Sequence, residues 1–287
     1  MQKLISIIDK SVNFVPPSMF ESRFVQRTDD YFIAYLSSHN GCNKACRFCH
    51  LTQTKQTDFE HASLENYVTQ LKPIISHYSE QILNGQPRAN KINFNFMARG
   101  EPFANNTVLN DSTSLALALK NEIRHLDLKP NFNFSTIGPT ELGNRAIADV
   151  LSPNTENVVY YSLYSARESF RKKWLPKSLP VDVMLSNMRD WQDKGGTNVL
   201  HWALIDGEND SLQDIDLIVD KVNKFGINAR FNLVRYNPYS IGQGAEPGLD
   251  TINAYFEKIS KMLGSIDSKI VSRVGFDVKA SCGMFVS

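Results

Sequence analysis

The stretch YFIAYLSSHNGCNKACRFCHLTQT, residues 31–54, carries the reading that sets the fold. Its first six residues are apolar and aromatic and have the length of a buried strand. A polar loop follows and holds Cys42, Cys46 and Cys49. From about Ser63, Leu64, Tyr67, Val68, Leu71, Ile74 and Ile75 recur on one helical face. The same order of element types continues along the chain. Strands are expected at 92–97 (INFNFM), 132–135, 158–163, 199–205 and 229–234, with a closing strand at 270–276. Helices are expected over 112–126, 141–151, 182–194, 211–225 and 251–263. Six βα units in series imply parallel strands joined by right-handed crossovers.

An open doubly wound sheet has the same local pattern. The position of the polar segments favours a barrel. Cys42–Cys49, Gly100–Pro102, Ser135–Gly138, Ser162–Ser165, Asp206–Asp210 and Asn237–Pro238 all fall just after strands, on what would be one rim. Barrel enzymes keep their chemistry there. The fold class expected is α/β, a partial (β/α)6 TIM-like barrel over residues 31–287, preceded by a short extension over 1–30 and ending in a cysteine-bearing loop.

Composition is that of an ordinary globular chain, with a formal net charge of +1 over 287 residues. That charge gives no global signature of a nucleic-acid partner. Local basic groups exist at Arg167, Arg171, Lys172, Lys173 and Lys177, and at Arg23, Arg27 and Arg99. No stretch has the length of a membrane span. The N-terminus lacks a full apolar signal core and a small-residue cleavage site, which points to a cytoplasmic location.

The spacing C-x3-C-x2-C lets three thiolates converge on a soft metal centre. Three ligands complete neither a four-cysteine zinc site nor a fully protein-ligated [4Fe–4S] cluster. A cluster held by three cysteines leaves one iron open to chelate a small molecule through amino and carboxylate groups. A zinc site completed by His39 or His50 is the alternative. The fourth cysteine, Cys282, lies five residues from the end of the sequence.

CNKACRFC (42–49) resembles the cluster motif of the radical S-adenosylmethionine (SAM) superfamily. Six further segments resemble, in order, those of its RlmN/Cfr family, the ribosomal and transfer RNA adenine methyltransferases. They are MARGEP (97–102), FSTIGP (134–139), YSLYSARESFRKKWLP (161–176), ALIDGENDS (203–211), FNLVRYNP (231–238) and KASCGMF (279–285). The resemblance runs from about Glu21 to Phe285.

The resemblance implies a radical SAM barrel in which Cys42, Cys46 and Cys49 hold a [4Fe–4S] cluster whose open iron binds SAM. Phe48 would shield that cluster. Gly100 and Glu101 would receive the SAM amino group, and Ser135, Ser162 and Asn232 would line the rest of its site. Cys282 would take a methyl group from one SAM, and a radical made from a second would abstract hydrogen from it. The S–CH2 radical would then add to C2 or C8 of adenine, carbons that ordinary methyl-cation transfer does not reach. Gly283 would give the Cys282 loop freedom to visit both cluster and substrate. RNA, a flavodoxin-like or other low-potential electron donor, no membrane and a monomeric state complete the expectation.

Three departures stand out. The family's second catalytic cysteine, seven residues before the first cluster cysteine, is Tyr35 here. Tyrosine cannot form the disulfide that releases product, although a strongly perturbed phenol can accept a proton. Tyr164 replaces a family histidine. Too few residues precede the cluster loop for the family's N-terminal RNA-binding domain. The departures leave two rival expectations: a radical SAM enzyme acting on DNA, a nucleotide or a small metabolite, or a catalytically inactive Fe–S nucleic-acid-binding protein.

Overall fold

In the computed structural model of the protein, residues 1–264 and 267–286 are described. Among them, ten strands form one sheet in chain order: β1 (Gln2–Ile5), β2 (Val12–Val15), β3 (Ser22–Thr28), β4 (Tyr31–Tyr35), β5 (Lys91–Phe96), β6 (Lys129–Thr136), β7 (Asn157–Tyr161), β8 (Thr197–Ala203), β9 (Ala229–Val234) and β10 (Lys269–Val271). The strands from β4 to β10 are parallel. The first three run antiparallel and extend the sheet beyond β4. Side chains of β3 and β10 line one cavity, so the sheet curls into an open, partial barrel.

Helices α1 (His50–Gln53), α2 (Leu64–Leu83), α3 (Asn106–Ile123), α4 (Ile147–Val150), α5 (Glu168–Trp174), α6 (Val181–Asp193), α7 (Leu212–Lys224) and α8 (Leu249–Leu263) link the strands. Ser63 caps α2 by accepting from the Asn66 N–H, and Ser211 caps α7 by accepting from that of Asp214. Their apolar faces pack on the outside of the sheet, where Phe94, Phe96, Phe132 and Phe134 are buried. Phe96 and Phe134 stack at 4.4 Å. The intervening residues Asn93, Asn95, Asn131 and Asn133 line the cavity instead. In register, Asn95 opposes Asn133, and Asn133 Nδ2 donates to Asn95 Oδ1 at 2.7 Å. The alternation of INFNF therefore separates an apolar outer face from a polar inner wall.

The expected extension over 1–30 instead holds β1 to β3, and two of the expected elements differ. The segment 141–151 holds a 3₁₀ turn (Thr140–Leu142) and the one-turn α4, separated at Gly143, whose φ is +59°. The closing strand stops at Val271, because Arg273 turns to bond Glu246, Asn237 and the Tyr236 carbonyl. No helix among the described residues is long and apolar enough to cross a membrane.

Candidate functional site

All ten residues singled out from the sequence line one cavity of about 570 Å³. Cys42, Cys46 and Cys49 sit in the loop after β4, and Gly100 and Glu101 in the loop after β5. Ser135, Ser162 and Asn232 come from β6, the end of β7 and β9, with Tyr35 on β4 and Cys282 in the C-terminal loop.

The cysteine loop folds back on itself. The Cys49 N–H donates to the Cys46 carbonyl at 3.0 Å, and Ala45 takes a left-handed φ of +58° to turn the chain. Gly41 lies so close to the Asp58 carbonyl that a Cβ would fall 2.1 Å from its oxygen. Burial and mutual repulsion push the thiol pKa of Cys42 up to about 12, and burial, with a smaller push from Cys282, raises that of Cys49 to about 11. Cys46, the most enclosed, is raised well above its usual value for the same reasons. Three buried thiols that resist ionisation fit a cationic centre, whose charge would offset the cost of the thiolates.

Among the described residues, no three His, Cys, Asp or Glu side chains are arranged to ligate a single ion. Of the two histidines considered for a zinc site, His39 Nε2 pairs with His61 Nδ1 at 3.1 Å and His50 Nε2 with the Asn237 carbonyl at 2.9 Å.

Beside the thiols, Gly100 has φ +92°, and a Cβ there would lie 2.4 Å from His39 Nδ1. Only glycine fits both constraints. Glu101 follows, 4 % exposed, accepting from the Phe103 N–H at 3.1 Å and the Ile137 N–H at 3.0 Å. Burial outweighs these bonds and raises its carboxyl pKa to about 7. An incoming ammonium group would reverse that shift. Asn232 Oδ1 is buried on the cavity wall without a partner, an open acceptor for a polar ligand.

Sequence reasoning missed His201. On β8, its Nε2 lies 2.9 Å from Ser135 Oγ and 2.8 Å from Ser162 Oγ, so one nitrogen orients both hydroxyls. Burial lowers its pKa to about 4, which keeps it neutral. Strand parity was the available signal: His201 opposes Asn232 in register.

The Cys282 loop is pinned, not free. Asn237 Nδ2 donates to the Cys282 carbonyl at 2.9 Å and to Ser281 Oγ at 3.1 Å. The His50 N–H bonds the Gly283 carbonyl at 2.9 Å. Arg23 donates to the carbonyls of Ala280 and Met284, and Arg99 to that of Val286. Buried Glu21 joins the two guanidinium groups and accepts from the Val286 N–H. The Phe285 ring lies under both cations, at 5.0 and 5.7 Å.

Arg23 and Arg99 are therefore no surface patch. They are 3 % and 1 % exposed and hold the loop. The segment 167–177 is also largely committed: Arg167 pairs with Asp214, Lys173 with Glu208, and buried Arg171 bonds the Leu163 and Leu179 carbonyls. The Cys282 side chain itself is exposed to the cavity, with protein around it that raises its thiol pKa. Tyr35 faces the same space, its phenol also raised by burial while Arg27 and Arg23 oppose the shift. Tyr164 stacks on Phe48 of the cysteine loop at 4.5 Å.

No protein-family model matches the chain. Among curated proteins it is 26 % identical over 266 residues to the probable dual-specificity RNA methyltransferase RlmN of Flavobacterium psychrophilum, covering 91 % of this chain and 71 % of that one. It is 27 % identical over 251 residues to the dual-specificity RNA methyltransferase RlmN of Campylobacter jejuni, covering 86 % and 65 %. The chain thus spans about two thirds of the length of these relatives. A radical SAM methyltransferase from Sphaerobacter thermophilus shares the fold at a TM-score of 0.77, 17 % identity, and coverage of 99 % of this chain and 80 % of that one.

Proposed function

Because the chain is a homologue of the RlmN/Cfr-like radical SAM RNA methyltransferases and has the radical SAM fold, we propose that it uses SAM twice to methylate C2 or C8 of an adenine in RNA through Cys282. One observation carries this reading: the only cysteine outside the cluster loop faces the same cavity as the three within it. Cys42, Cys46 and Cys49 would hold a [4Fe–4S] cluster, which supplies the electron that splits SAM into methionine and a 5'-deoxyadenosyl radical.

The remaining work falls to side chains. Glu101 takes the SAM ammonium group and is ionised by doing so. Gly100 leaves room for it. Ser135 and Ser162, fixed by His201, and Asn232 orient the polar groups of SAM. Tyr164 and Phe48 keep water from the cluster loop. The pinned carbonyls on either side of Cys282 hold its sulfur on the wall, where it acts as methyl acceptor once deprotonated. Tyr35 stands where the RlmN/Cfr pattern has its second cysteine, and tyrosine forms no disulfide, so release of the product from Cys282 needs an external thiol.

The test is direct. Anaerobically reconstituted protein is incubated with methyl-labelled SAM and a reductant, and peptide mass spectrometry reads the mass at residue 282. The expected result is one added methyl group on Cys282, with 5'-deoxyadenosine formed. 5'-Deoxyadenosine without any modification of Cys282 would favour a relative that uses SAM for another reaction. Neither product would support an inactive Fe–S protein.

A further inference from the structure

The cavity wall is strongly asymmetric in charge. It carries eight cationic side chains and one carboxylate, Glu101. Four of the cations are held in ion pairs: Arg23 with Glu21, Lys44 with Glu141, and Arg235 and Arg273 with Glu246. The other four, Arg27, Lys91, Arg230 and Lys269, have no ion pair among the described residues. They come from β3, β5, β9 and β10, at the end of the barrel away from the cysteine loop.

These four charges are close enough to disturb one another. Burial and Arg230 together lower the Lys91 pKa, and burial, Arg230 and Arg27 lower that of Lys269, against the opposing pull of Asp267. Arg230 bonds only the Tyr160 hydroxyl, at 3.0 Å, and its Nε is buried without a partner. Holding four like charges together without an ion pair among them is costly unless an anion joins them.

Position gives the anion its context. Lys91 opposes Tyr31, four residues before Tyr35 on the same strand, so the cations lie about 13 Å down the wall from Tyr35 at the usual strand rise. Extended lysine and arginine side chains reach back along the wall over part of that span, which brings a phosphate held below the base within their range. We propose that Arg27, Lys91, Arg230 and Lys269 form a phosphate subsite for the nucleotide whose base faces Cys282. The identity of the base rests on the proposed function, whereas the charge recognition stands apart from it. The phosphate is either the monoester of a free nucleotide or a diester within RNA.

Three probes distinguish these by titration calorimetry on the reconstituted protein: adenosine, 5'-AMP, and an oligoadenylate dodecamer without terminal phosphates. A monoester subsite makes 5'-AMP bind at least tenfold more tightly than adenosine. A diester subsite leaves that ratio small, and the double substitution Arg230→Gln/Lys269→Gln then weakens the dodecamer at least tenfold. The charge-preserving Arg230→Lys/Lys269→Arg retains binding and separates loss of charge from loss of fold. Equal binding of adenosine and 5'-AMP with an unaffected dodecamer overturns the subsite, as does failure of both phosphate-bearing probes to bind. Methyl transfer to Cys282, read on wild-type protein without nucleotide, judges the function separately.

Discussion

Replacing Glu21 by glutamine tests the device that holds Cys282 in place. The Glu21 carboxylate is wholly buried and takes donors from Asn13, Arg23, Arg99 and Val286. Glutamine keeps the shape but removes the charge, leaving two buried guanidinium groups without their counter-ion. Breaking a buried pair in this way costs about 3–5 kcal/mol. Arg99 retains the Asn40 carbonyl and the Gln56 side chain as acceptors, so the lower end, about 3 kcal/mol, is expected. Urea denaturation reads the loss, and hydrogen exchange reads where it acts. Residues 280–286 should lose protection first, because their carbonyls are what the two arginines grip. Adding Arg99→Met should recover part of the stability by removing one stranded charge, but not the protection. A loss below about 1 kcal/mol, or unchanged exchange at 280–286, would refute the clamp.

Two further outcomes follow from perturbed groups. With the Glu101 carboxyl at about 7 in the free protein, SAM should bind about tenfold more weakly at pH 6 than on its plateau above pH 8, because only the carboxylate receives an ammonium; calorimetry across that range checks it, and Glu101→Gln should bind weakly at every pH. His201 has its pKa lowered to about 4 by burial, so the unfolded chain binds its proton first and the folded state loses stability as pH falls from 6.5 towards 4. Relative to His201→Gln, the wild type should lose up to about 3 kcal/mol over that window, read from denaturation at each pH.

Much of this was legible in residues alone. Short apolar and aromatic runs, and stripes at a helical period, announced β4 to β9 and the long helices, because the helices bury the outer face of every strand. The cysteine spacing and the in-order segments brought the ten wall residues together. The strands of residues 2–28 escaped notice because antiparallel edge strands are short and mixed in composition, and Ile5, Ile7 and Ile8 are exposed. Arg23 and Arg99 misled for a related reason. An isolated arginine in sequence looks solvated, and its buried carboxylate came from Glu21, which for Arg99 is 78 positions away. The role of His201 depended on two hydroxyls from other strands, a meeting that no local pattern encodes.

The split between Phe and Asn along β5 and β6 has a consequence for mutational tolerance. Stability resides in the odd-one-out layer beneath the helices, where trimming Phe94 or Phe132 to alanine would cost about 3–5 kcal/mol. The hollow side contributes little packing, so its residues are free to change in chemistry while the shell stays intact. A scaffold partitioned in this way can be given a new guest by editing every second position, with the fold left to look after itself.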